Sequence, residues 1–166
     1  MIVNFDQTGL AIVPVSDWTM GPRGEKQVEI TGHDDKRQIT AVLACSLNGS
    51  LLPPQIIYAG KTVKCHPNFS FPSDWNVTHT ANHWSNTASM EEYVQCILAP
   101  YFDKVRSKLQ LSPDHPALCI MDVFKAHRVE SVLDLMSKNS IRVVFVPGNF
   151  TGGLKPLDIS GNADFK

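Results

Sequence analysis

The sequence predicts an α/β domain whose mixed sheet starts with antiparallel strands, continues with parallel ones and is flanked by helices. Three observations carry that expectation. Ala117-Leu-Cys-Ile-Met121 is a short apolar run after Pro116, the pattern of a buried strand, and it ends on the carboxylate of Asp122. Met90, Tyr93, Val94, Ile97, Leu98, Tyr101, Phe102 and Val105 step by three and one, which is the stripe of a helix over 89–108 lying on a sheet face. Asn48-Gly49 separates two strand-like runs and supplies the backbone freedom of a hairpin turn.

Bulk properties bound the answer. The chain has 166 residues, 43% of them hydrophobic, enough for one domain with its own core. Its 15 Lys and Arg against 16 Asp and Glu leave a net charge of −1, which argues against a freestanding, non-specific nucleic-acid binder. An enzyme that meets DNA through one local patch stays open. Cys45, Cys65, Cys96 and Cys119 form no C-x-x-C pair and follow no apolar leader, so a reducing intracellular compartment is expected. No apolar run approaches the ~20 residues of a membrane span, so a soluble domain with no membrane partner is expected.

Taken in order, Ile2–Phe5 reads as a first strand. Asp6-Gln-Thr-Gly9 reads as a turn and Leu10–Val13 as a returning strand that Pro14 ends. The polar stretch 16–36 holds Arg23 and Lys26, and fits a solvated loop or a phosphate contact about equally. Gln38–Leu47 and Leu51–Gly60 read as the hairpin arms, with Pro53-Pro54 marking an edge or bulge. The tract 61–86 reads as an irregular loop packed on Trp75 and Trp84. Its His79 and His83, four apart, lack the second cysteine of a zinc-finger pattern. Ser89 with Glu92 suggests a capping box for the long helix, and Pro100 a bend within it. Residues 127–138 read as a second helix with Val129, Val132, Leu133 and Met136 inward. Ile141–Val146 then reads as another buried strand, 147–153 as a mobile loop, and 155–166 as a last helix with Pro156 in its first turn.

The chemistry is expected at carboxylates. An ionised Asp122 cannot stay unpaired inside a core, so it belongs at the strand's C-terminal mouth, where open α/β sheets gather their catalytic groups. Asp6 and Asp158 can be matched to it, with 35 residues between Asp122 and Asp158. Three converging aspartates suit Mg²⁺ or Mn²⁺, hard cations that take oxygen ligands, and can hold two such ions for an in-line phosphodiester displacement. Spacing alone also fits Asp6 as a turn residue and Asp158 as a first-turn acid held by the helix dipole. Lys125 and His127 lie where they could reach a phosphate, although capping or packing suits His127 better. No G-x-G-x-x-G or Walker-type loop follows a strand, so no small-molecule cofactor is expected.

Several blocks of this chain resemble the DDE superfamily endonucleases, in the subgroup of pogo/Tigger and jerky-like transposases to which centromere protein B is related. They are Asn4-Phe-Asp6-Gln-Thr-Gly9, Gly24-Glu-Lys-Gln27, Leu51-Leu-Pro-Pro-Gln-Ile-Ile-Tyr-Ala-Gly-Lys61, Ile120-Met-Asp-Val-Phe-Lys125 and Pro156-Leu-Asp158. The blocks keep their order over nearly the whole chain. The resemblance implies an RNase H-like fold, divalent metal, and DNA cleavage with strand transfer. By motif match, Asp6, Asp122 and Asp158 are then the catalytic, metal-binding carboxylates. Arg23, Lys26, Lys61, Lys125 and His127 are expected as DNA contacts, dimerisation is implied by the family, and nuclear location by DNA as substrate. Residues 1–166 are expected to form a single catalytic domain truncated at both ends, without the upstream helix-turn-helix region. A catalytically inactive, domesticated remnant acting as a DNA-associated or protein-interaction module is the competing reading.

Overall fold

The computed structural model describes residues 1–12, 23–24 and 37–147. Six strands form one sheet: β1 (Ile2–Ala11), β2 (Gln38–Ser46), β3 (Gln55–Ala59), β4 (Asn76–Thr80), β5 (Ala117–Asp122) and β6 (Ile141–Val146). Their order across the sheet is β4-β3-β2-β1-β5-β6. β2 lies antiparallel to both β1 and β3, while β1–β5, β3–β4 and β5–β6 pair in parallel. This is the mixed sheet, antiparallel at the start and parallel later, that the apolar patterning predicts.

The predicted turn at 6–9 does not form. β1 runs unbroken through Asp6, and Val3 to Ala11 pair residue by residue with Ser46 to Gln38. Asp and Gly are turn residues by local preference, but nine consecutive cross-strand pairs outweigh that preference. The turn at Asn48-Gly49 does form, with Gly49 at φ +84°, a conformation only glycine adopts without strain. The tract 61–86 contains an edge strand, β4, and a 3₁₀ turn at Val63–Cys65. Trp75 and Trp84 are both substantially exposed, so they do not anchor this tract as a buried core.

One face of the sheet carries the main core. Val3 and Phe5 of β1, Val42 and Ala44 of β2, Ile57 of β3 and Ala117, Cys119 and Met121 of β5 alternate inward onto it. Against them packs a continuous helical stretch: α1 (Thr87–Tyr93), a π segment (Val94–Leu98) and α2 (Ala99–Lys108). Met90, Tyr93, Val94, Ile97, Leu98 and Phe102 are buried there, as the stripe predicts. Pro100 lacks an N–H, and the widened π turn directly before it absorbs the break that a proline imposes on an α-helix. The cap is Asn86, with Ser89 as its reciprocal partner, so the helix begins earlier than the Ser89–Glu92 pattern suggests. Helix α3 (Glu130–Lys138) buries Val132 and Met136 on the same core. His127 precedes α3, in a 3₁₀ turn at Lys125–Arg128. β6 is an edge strand with Val144 45% exposed, rather than a fully buried one. The predicted loop at 147–153, apart from Pro147, and the last helix at 155–166 lie outside the described residues. Among the described residues, no helix is long and apolar enough to cross a membrane.

Two polar devices join parts of the chain that are distant in sequence. Gln55, fully buried, donates through Nε2 to the Asn76 side chain at 2.6 Å and to the Ser89 carbonyl at 2.8 Å, and Asn76 donates on to Glu92 at 2.9 Å. These bonds fasten β3 and β4 to α1. Arg106 is only 3% exposed; its guanidinium donates to the carbonyls of His115, Asn139 and Ser140 and pairs with Asp103. It therefore ties the end of α2 to the segment before β5 and to the turn before β6. Arg106→Met keeps much of the side-chain volume but orphans these carbonyls. It should lower unfolding free energy by roughly 2–4 kcal/mol, read as a lower urea midpoint at unchanged slope.

Candidate active site

Parallel pairing of β1 with β5 sets the candidate site. Ile2, Val3 and Asn4 pair with Leu118, Cys119 and Ile120. The pairing ends there, and its register continued by two residues sets Asp6 level with Asp122 on the neighbouring strand. Strands in such pairing are ~4.8 Å apart. On its other side Asp6 pairs with Leu43 of β2. Alternation along β1 sends Val3 and Phe5 into the helix-covered core and Asn4, Asp6 and Thr8 to the opposite face. All three of these polar residues are buried. Asn4 donates through Nδ2 to the Ile120 carbonyl at 3.1 Å, a side-chain rung between the two strands. The Thr8 hydroxyl, two residues beyond Asp6 on the same face, has no hydrogen-bond partner among the described residues.

Asp122 closes β5 and is held from the protein side. Its Oδ1 accepts the Phe124 backbone N–H at 3.0 Å, a local turn bond typical of Asp. The same oxygen lies 2.7 Å from Nδ1 of His127. His127 is 1% exposed, with Phe5 and Phe124 meeting its ring edge-to-face at centroid distances of 5.0 and 5.4 Å. Its Nε2 lies 2.6 Å from Nε2 of Gln7. An amide nitrogen can only donate, so Nε2 of His127 accepts and Nδ1 carries the proton given to Asp122. His127 thus packs in the core and orients the carboxylate, in keeping with the packing role that suited it better than a phosphate contact. Gln7 has no signal of its own in the sequence. The one available clue was strand alternation, which puts a residue adjacent to Asp6 on the opposite face.

The remaining sequence-predicted residues are scattered. Lys125 is exposed at the start of the 3₁₀ turn beside Asp122. Lys61 is exposed just beyond β3, two strands away from β1. Its strand ends at Ala59, whereas Ile57 is already level with Thr40 and Gly9, past Asp6 along the sheet. Arg23 is exposed, and Lys26 and Asp158 lie outside the described residues. The structure therefore brings Asp6 and Asp122 together and holds Asp122 through His127. Oxygen donors on adjacent strands, with an unpartnered hydroxyl nearby, fit a hard divalent cation such as Mg²⁺ or Mn²⁺ better than a soft one.

A family model described as DDE superfamily endonuclease matches residues 36–166. Proteins described as "Pogo transposable element with KRAB domain" from Homo sapiens and Mus musculus are each 27% identical over 157 residues, covering 94% of this chain. The chain spans about a quarter, 24%, of those relatives' length. Among solved structures, a pre-cleavage Mos1 transpososome matches with a TM-score of 0.65 at 14% identity, over 98% of this chain and 41% of that one. A Mos1 mariner paired-end complex with Mn matches with a TM-score of 0.63, at 14% identity, over 98% and 40%. The fold is therefore the RNase H-like mixed sheet of these transposases.

The proton position on His127 is directly measurable. ¹⁵N-resolved NMR of the neutral ring should show the Nδ1–H tautomer, and only replacing both partners (Gln7→Leu with Asp122→Ala) should shift it toward the Nε2–H form that a free imidazole prefers. A parent spectrum already dominated by Nε2–H would overturn the assignment.

Proposed function

Since this chain belongs to the DDE superfamily endonucleases, we propose that residues 1–166 form a metal-dependent transposase catalytic domain that cuts DNA phosphodiesters and transfers strands. The observation that carries the proposal is the level placement of Asp6 and Asp122 on adjacent parallel strands. In this reading Asp6, Asp122 and Asp158 hold Mg²⁺ or Mn²⁺, as two ions. When bound, such ions lower the cost of the negative charge that gathers on the attacking and leaving oxygens. The chain's own part is positional. β1 presents Asp6 from a rigid sheet, and the Phe124 N–H with the His127 ring fixes one oxygen of Asp122. Arg23, Lys26, Lys61 and Lys125 serve as phosphate contacts, which position a duplex without reading its sequence. A nuclear location and a homodimer belong to the same reading.

A second reading is favoured by one observation: Asp122 Oδ1 already accepts two protein donors. A carboxylate engaged in this way also suits a domesticated module that keeps the fold and associates with DNA or protein without turnover. Calorimetric titration of Mn²⁺ into the wild type, Asp6→Asn and Asp122→Asn, beside a plasmid-nicking assay, separates the two. The catalytic reading expects saturable binding and nicking in the wild type. Either variant should reduce nicking by at least ~100-fold, the equivalent of losing a few kcal/mol of charge stabilisation. Binding without nicking favours the domesticated module; no binding by folded wild type removes the metal site altogether.

The DNA surface is tested separately. Charge reversal at Arg23, Lys26 and Lys61 together should weaken duplex binding and flatten its dependence on salt, because fewer counterions are released. An unchanged salt slope would take those three residues out of the interface.

A further inference from the structure

A second cluster of ligating side chains lies on the other half of the sheet, with β2 between it and the strands of Asp6 and Asp122. Cys65 ends the 3₁₀ turn, His66 follows it, and His79 lies in β4 level with Tyr58 of β3. Cys65 Sγ and one ring nitrogen from each histidine all lie within 4.8 Å of one another. Nε2 of His66 faces Nδ1 of His79 at 3.1 Å, with ring centroids 5.1 Å apart. Two nitrogens held ~2.0–2.1 Å from one tetrahedral zinc stand about 3.3 Å apart, so this spacing is close to one edge of such a site. His83, which the sequence paired with His79, points elsewhere and meets the Thr40 hydroxyl at 3.1 Å.

Two further features mark the cluster as built. The Thr78 backbone lies within hydrogen-bonding reach of the His66 ring. A backbone partner is a usual way for a protein to orient a metal-binding histidine ring. The backbone also makes room for the cysteine. A Cβ on Gly60 would lie 2.5 Å from Cβ and 2.6 Å from Sγ of Cys65, so the loop closes around that side chain only with glycine at 60.

We propose that Cys65, His66 and His79 form a zinc site, with solvent or an outside donor in the fourth position, that clamps the 60–66 loop to the edge strand β4. One thiolate and two imidazoles make a borderline donor set suited to Zn²⁺ and poorly suited to Mg²⁺. On binding, the Cys65 thiol gives its proton to solvent as the zinc–sulfur bond forms, and both imidazoles bind as neutral donors. The three side chains are half-buried, which leaves one side of the ion open. The clamp acts where the sheet is weakest in apolar cover: β4 is Asn76-Val-Thr-His-Thr80, and only Thr80 of it is buried.

Metal-stripped full chain titrated with Co²⁺ tests this, because a thiolate–cobalt charge-transfer band with strong tetrahedral visible bands reports cysteine and geometry together. One equivalent should produce both, and one equivalent of Zn²⁺ should bleach them. Cys65→Ser should abolish the charge-transfer band. His79→Gln and Gly60→Ala should weaken binding by at least the ~10–100-fold that loss of an outer-shell partner costs. Cys96→Ser and Asp122→Asn should leave the spectrum unchanged, so the result is independent of any chemistry at Asp6 and Asp122. Absence of the band in folded wild type, or its persistence in Cys65→Ser, would overturn the site. Equal affinity in wild type and His79→Gln would do the same, leaving the two histidines as a hydrogen-bonded pair.

Discussion

Parallel pairing of β1 with β5 is the constraint from which the candidate site follows. Side chains alternate along a strand with period two, so a one-residue slip would send Phe5 out of the core and bring Asp6 into it. The register observed, with Val3 on Cys119, avoids both. Phe5 meets Tyr93 edge-to-face at 5.5 Å on the helix-covered side, while Asp6 keeps to the other face, level with Asp122. A buried carboxylate in mid-strand is costly unless charge or hydrogen bonds offset it. The same register that buries it sets it level with the carboxylate of Asp122, so like-charge repulsion adds to that cost. Core packing and site geometry are thus one choice of register.

His127 links the two sides of that choice. Its ring packs between Phe5 and Phe124 as an ordinary core aromatic does, yet its nitrogens span Gln7 and Asp122. A change in helix packing would therefore reach the Asp122 carboxylate through one rigid ring. The dependence also runs the other way. With the Asp122 carboxylate removed, the buried N–H would keep only the 3.4 Å contact to the backbone carbonyl of residue 122, a weakening felt by the core as well as the site.

Where the sequence was legible, one strong periodic signal acted alone. Ala117–Asp122, the Asn48-Gly49 hairpin and the helical stripe from Met90 to Phe102 all formed, because apolar spacing and tertiary burial agree there. The misreadings fall where local and tertiary preferences conflict. Asp6-Gln-Thr-Gly9 has turn residues in a strand, because the sheet needs polar groups on that face. β4 holds a single apolar residue, Val77, and owes its place to pairing with β3 and to the Gln55–Asn76–Glu92 bonds. Such bonds join residues 16 to 34 positions apart and leave no periodic trace. Asp122 was legible as a strand-end carboxylate, whereas its support by Gln7 and His127 depends on a register that one sequence cannot state. Asp158 lies outside the described residues, and its place beside the pair rests on motif resemblance.

The sheet's two halves carry different physics. From β1 to β6, apolar side chains cover the helix face and the polar residues gather at Asp6, so burial supplies the rigidity there. Around β4, burial is thin and order comes from directed contacts: an amide network on one side and the Cys65–His66–His79 cluster on the other. Directed contacts hold an edge strand only while every partner is present, whereas apolar packing degrades gradually. A ligand that fills the His66–His79 gap would therefore stiffen β4 sharply while leaving the β1–β5 register as it is. In this fold the edge strand and the carboxylate pair are structurally separate because β2 and β3, already fixed by nine-residue and three-residue antiparallel pairings, stand between them.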